Sequence, residues 1–146
     1  MIQEIIILSN TGIPLFCHNF QENLSNNYNY QLIASYFDQI CRFTKYGFKE
    51  SLNTLKMDKS VFYFYTHPQS HFHLILKCES KIDQNKFKKK SIDKIAEEIF
   101  EKFLNKFKTE LRNFNGNVAL FKSFSEDIAQ MVKPKGILRN LVLNPF

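Results

Sequence analysis

The sequence predicts an α/β (α+β) fold, a five-stranded antiparallel sheet with helices on both faces. Three observations carry that expectation. Short runs of β-branched and aromatic residues have the length of strands. Two longer segments repeat apolar residues at helical spacing. Glycine, asparagine or proline punctuates the joins between them. At 146 residues the chain has the length of one domain, and it can bury a core without a metal or disulfide staple.

The run from Gln3 to Ser9 is rich in isoleucine and suits a buried strand. Asn10-Thr11-Gly12 then offers a tight turn in which Gly12 supplies a positive φ. Ile13 to Phe20 resumes the apolar pattern, so the two runs form a hairpin. Pro14 has no N–H to donate and places this second strand at a sheet edge. A polar stretch from Gln21 leads into a helix from about Tyr28 to Phe43, with Leu32, Ile33, Tyr36, Phe37, Ile40 and Phe43 at helical spacing. Gly47 sits where a glycine stop belongs.

Three strands are expected next, over Phe48 to Met57, Val61 to Thr66 and Phe72 to Cys78. Their short joins, Asp58-Lys59 and His67-Pro68-Gln69-Ser70, make an antiparallel meander. After a polar loop, Ser91 is placed to cap the longest helix, which is expected to run to about Phe114 with one wide apolar face. Asn115-Gly116-Asn117 stops it. A last helix starts near Ser123, where Ser123 and Glu126 have capping-box spacing. The order β-β-α-β-β-β-α-α occupies residues 1–132, and residues 133–146 form a basic, then apolar tail.

Composition narrows the function classes. The net charge of +6 favours anionic partners without choosing among lipid, acidic protein and nucleic acid. The three cysteines, Cys17, Cys41 and Cys78, lie far apart, and their odd number suits a reducing compartment. Only four glycines occur, and no phosphate-binding loop, dinucleotide fingerprint or nucleophile elbow is present. The first residues read as a strand and not as a signal peptide, no apolar stretch reaches membrane-spanning length, and the last residues lack a prenylation cysteine. A cytoplasmic location is expected, with peripheral contact at a membrane surface.

The opening Ile5 to Phe16, IIILSNTGIPLF, together with the element order over Met1 to Val132, resembles the longin domain family, a longin-like and roadblock-related group of small α/β modules. The resemblance implies one helix on one side of the sheet and the remaining helices on the other. It implies binding of proteins and membranes without bond chemistry, in vesicle fusion, in coat adaptors or in complexes that regulate small GTPases. No stretch after Val132 is long enough for a SNARE coiled coil, so the chain looks like a free-standing longin domain. It is expected to work without catalytic residues or cofactors, as a homo- or heterodimer whose partner is a small GTPase or another longin or roadblock-like domain.

The candidate residues follow. His67, His71 and His73 form the one cluster with metal potential, since His71 and His73 share a strand face; ordinary polar residues on a hairpin rim are the simpler account. Cys17 and His18 are strand neighbours that point to opposite faces, so they cannot act as nucleophile and base. Lys86, Lys88, Lys89 and Lys90 form the sharpest basic cluster, placed in the polar loop and offered to an anionic surface. Tyr28 and Tyr30, at the helix start, and Phe48, Leu52 and Leu55, on the exposed edge strand, are the expected partner contacts, with dimerisation at that edge. A basic nucleic-acid-binding module that stacks bases on a sheet face is the rival reading.

Overall fold

A computed structural model of the chain describes residues 2–20, 29–84 and 86–131. The five strands are β1 Ile2–Leu8, β2 Pro14–Asn19, β3 Thr54–Lys56, β4 Ser60–Thr66 and β5 His73–Glu79. They form one sheet in the order β2-β1-β5-β4-β3, and every neighbouring pair is antiparallel. The first strand therefore lies inside the sheet, between β2 and β5. The two edges are the two expected.

Alternation along the strands sorts side chains between two cores. Ile5 and Ile7 of β1, Val61 and Tyr63 of β4, and Leu74 and Leu76 of β5 face one layer. That layer is α2 (Lys86–Lys106), α3 (Lys108–Arg112) and α4 (Phe124–Met131), which contribute Ile92, Ile99, Phe103 and Phe124. Ile6 and Leu8, Phe62 and Phe64, and Ile75 face the other way, against Ala34 and Phe37 of α1 (Tyr30–Gly47). Burying a side chain of this size contributes about 1.5–3 kcal/mol, so a sheet with apolar residues on both faces is held only when both are covered. A Phe-rich seam, in which Phe103 meets Phe107, Phe121 and Phe124 at 5.1–5.5 Å between ring centroids, joins the last elements. Lys106 Nζ reaches Asp127 Oδ1 at 2.6 Å and ties α2 to α4.

Several local expectations are corrected. The edge strand over Phe48 to Met57 shrinks to Thr54–Lys56. Phe48 caps the C-terminus of α1, where Phe48 N and Glu50 N both donate to Thr44 O, and Lys49, not Gly47, takes the left-handed conformation at φ 60°. The lysine run is the first turns of α2 and not a loop, so Ser91 lies inside the helix. The long helix breaks at Phe107, well before Phe114. Gly12 does turn at φ 84°, and a Cβ there would lie 2.7 Å from Asp38 Cγ, because the β1–β2 turn rests on α1. Tyr28 and the tail 133–146 lie outside the described residues.

The largest correction concerns α1. Its apolar residues form two stripes on opposite sides of the helix. Ile33, Ala34, Phe37 and Cys41 turn inward, whereas Leu32, Tyr36 and Phe43 turn out, at 68%, 49% and 66% exposure. The two stripes predict opposite responses. Phe37→Ala should cost about 3–5 kcal/mol of stability, and Phe43→Ala should stay within about 0.5 kcal/mol of the parent. Urea denaturation of both variants checks this; equal losses would mean that the faces are assigned wrongly.

Candidate functional site

Two surface features stand out, and α1 builds both. The first is a ridge. Leu32, Tyr36 and Phe43 follow each other on the outer face of α1, and Tyr46 and Phe48 extend the line at 61% and 64% exposure. The fourteen helical rises from Leu32 to Tyr46 make it about 21 Å long. Phe43 and Phe48 pack edge to face at 5.6 Å, which holds the C-terminal end of the ridge as one aromatic block. Water-exposed apolar side chains scattered singly are ordinary; several aligned on one helix face make that face a candidate interaction surface.

The second feature is a cavity of about 530 Å³ beside the ridge, between the C-terminal half of α1, the segment before β3 and the ends of β4 and β5. Leu52, Phe64 and Cys41 give it an apolar floor, and Asp38, Arg42, Lys45, His71 and His73 stand around it. Arg42 Nε donates to Asp38 Oδ2 at 2.9 Å, and its Nη2 donates to Asn10 O at 2.9 Å. These two bonds clamp the guanidinium against the β1–β2 turn. His73 Nδ1 lies 2.9 Å from Thr66 Oγ1. Burial first, and then the nearby Arg42, Lys45 and His71, push the His73 imidazole below its ordinary value, with Asp38 acting in the opposite sense.

The expected site residues separate. His71 and His73 meet at this cavity. His67 Nδ1 instead accepts from Ser70 N at 3.1 Å, pinning the β4–β5 turn, and its ring rests on Phe100 of α2, on the other side of the sheet. Among the described residues no group of three histidine, cysteine, aspartate or glutamate side chains is spaced to hold a metal. Tyr30 packs half-buried into the α1 core and hydrogen-bonds Glu4. Leu52 and Leu55 also lean on that core, which leaves Phe48 as the exposed member of the expected contact set.

The lysines at the start of α2 divide as well. Lys89 turns back over the rings of Tyr63, at 4.5 Å, and Tyr65, and pairs with Asp93, whose Oδ1 also accepts from Tyr65 Oη at 2.6 Å. Lys86, Lys88 and Lys90 stay exposed. Positive charge at a helix N-terminus opposes the helix dipole, so this segment became helical through its tertiary contacts and not through its local preference.

Cys17 packs toward the α1 core, while His18 stacks on Phe16 and meets Phe20 edge to face on the opposite side, so the two cannot form a catalytic pair. Burial pushes the thiols of Cys17 and Cys78 up to about 12 and that of Cys41 up to about 11. At pH 8 the thiolate is then on the order of one molecule in a thousand or fewer. Iodoacetamide should accordingly alkylate the folded chain very slowly and label all the cysteines once urea opens it, as mass spectrometry will show. A lowered His73 also has a consequence for stability. Between the ordinary value of 6.5 and the lower folded value, the unfolded chain binds the proton more readily. Stability should therefore fall as pH drops below 6.5, and His73→Asn should flatten that part of a melting-temperature profile.

No protein-family model and no curated protein sequence matches the chain. Among solved structures it is similar to a chain in the structure of the mammalian SRP receptor, with a TM-score of 0.51 and 14% identity over 97% of this chain and 92% of that one. Identity this low speaks for the fold alone, and the fold is the longin-like α/β arrangement of a five-stranded antiparallel sheet covered on both faces.

Proposed function

We propose that this chain is a non-catalytic, longin-type interaction module. It binds a protein partner in membrane traffic or small-GTPase regulation, either a small GTPase or a second longin or roadblock-like domain. The observation that carries the reading is the outward apolar ridge of α1, Leu32, Tyr36, Phe43, Tyr46 and Phe48. Aromatic side chains that lose little conformational freedom are the usual anchors of such interfaces. The ridge takes over the role first expected of the β3 edge, which with three residues offers few unpaired backbone groups to a partner strand.

The fold likeness and the opening IIILSNTGIPLF favour the longin assignment. The non-catalytic reading draws support from the raised thiols and the separation of Cys17 from His18. In this reading Lys86 and Lys90 provide peripheral contact with an anionic membrane. The nucleic-acid rival loses its main device, because helices cover the sheet on both sides and leave no open face for base stacking among the described residues.

The test is a pull-down with the chain as bait from lysate of its own source, loaded with GDP or a GTP analogue, beside a Tyr36→Ala/Phe43→Ala variant. Retention of a small GTPase or a longin-like chain is expected, weakened at least tenfold in the variant at an unchanged urea midpoint. Equal retention by the variant removes the ridge from the argument. Recovery of nucleic acid alone, lost steeply with salt, overturns the reading.

A further inference from the structure

The cavity between α1 and the ends of β4 and β5 has a chemistry that the ridge lacks. Its fixed charges are Arg42 and Lys45 against Asp38, all from α1, and its titratable groups from the sheet side are His71 and His73. The β1–β2 turn brings Asn10, and the segment before β3 brings Ser51 and Asn53, all uncharged. The surplus is thus cationic, and it grows when an imidazole takes a proton.

One of the cations is held in place before any ligand arrives. Arg42 is fixed by Asp38 and by the Asn10 carbonyl, and these bonds leave further guanidinium N–H groups for a ligand. Gly12 permits that arrangement, since any side chain there would strike Asp38. His71 stands at φ 60°, a left-handed backbone that non-glycine residues seldom adopt, and this turns it to the cavity rim beside His73.

We propose that this cavity binds a phosphomonoester, with Arg42 and Lys45 as the permanent cations and His71 and His73 as hydrogen-bond donors on the opposite wall. A carboxylate would bring Arg42 only what Asp38 already gives it. A phosphomonoester carries more charge and more acceptor oxygens, enough to engage a guanidinium, an ammonium and an imidazole together. The apolar floor of Leu52 and Phe64 accommodates a carbon body next to the phosphate, and the volume lies within the range of small-ligand sites. The group has two natural sources, a free organic phosphate and a phosphoinositide headgroup. The inference is independent of the protein partner proposed above, and no partner enters its test.

Binding a dianion beside His73 raises the affinity of that imidazole for protons, and by reciprocity protonation strengthens binding. Burial, Arg42, Lys45 and His71 hold the proton off this ring while Asp38 draws it on, and a bound dianion adds to the side of Asp38, so binding is expected to be tighter at pH 6 than at pH 7.5.

The experiment follows the ring C–H signals of the histidines in the full chain by NMR. Inorganic phosphate, a soluble inositol phosphate and vesicles of phosphatidylcholine containing a phosphoinositide are added in turn, with chloride at matched ionic strength as the control. Saturable shifts at His71 and His73, with His67 unmoved, are expected for at least one phosphate probe, together with the pH dependence above. Binding of the soluble probes but not of vesicles assigns a free phosphate; vesicle binding that the soluble inositol phosphate competes away assigns a headgroup. Lys45→Ala, on an exposed side chain, should weaken binding about tenfold without changing the urea midpoint, whereas Arg42→Ala also releases the β1–β2 turn. Shifts no larger than those with chloride, shifts at all histidines alike, or shifts that Lys45→Ala leaves intact would overturn the proposal.

Discussion

Everything in this molecule hangs on β1 lying inside the sheet with apolar side chains on both faces. Because β1 pairs with β2 on one side and β5 on the other, its backbone groups are spent within the sheet. Because Ile5 and Ile7 point one way and Ile6 and Leu8 the other, neither face can be left to water. A slip of one residue would exchange the two sets, but each set fits a different helix layer, so the register is specified twice. The covering helices are thus a requirement of the first strand, and α1, which among the described residues covers one face alone, has to sit where it does.

That position decides what α1 can offer. A lone helix on a sheet face buries one stripe and turns the other outward. Ile33, Ala34, Phe37 and Cys41 consume the inward stripe; a second apolar stripe on the same helix has nothing of its own chain against it among the described residues. In α2 the case differs, since its wide apolar face is met by the sheet and by Phe121 and Phe124.

The difference between the two helices explains which parts of the molecule were legible in the sequence. Period-two and period-3.6 patterns report that a side chain is apolar and which neighbours share its side. Strand existence, the sheet edges, the Gly12 turn and the inward face of α2 follow from that. Periodicity does not report how many surfaces there are to pack on, so Leu32, Tyr36 and Phe43 counted with Ile33 and Phe37 as one core pattern. The helical start at Lys86 was hidden for another reason: its residues oppose the dipole, and the two tyrosine rings that Lys89 covers, Tyr63 and Tyr65, come from β4. The cavity was illegible because its walls come from segments remote in sequence. Asn10, Arg42 and His73 carry no motif, and only the packing of the first turn onto α1 unites two of them.

The two features on α1 differ in how cleanly mutation can probe them. Ridge side chains are about half exposed or more, so their removal leaves the core and the hydrogen bonds of the fold in place. Arg42 belongs to the cavity and also braces the β1–β2 turn through Asn10, which makes its loss a change in fold and site together. Lys45 escapes that ambiguity, since its charge faces the cavity from an exposed position. A surface that binds and a surface that supports the fold are distinguished here by a simple physical criterion, whether the side chain holds a backbone group of a different element. Leu32, Phe43 and Lys45 hold none among the described contacts, and a defect that follows their substitution is therefore a defect of binding.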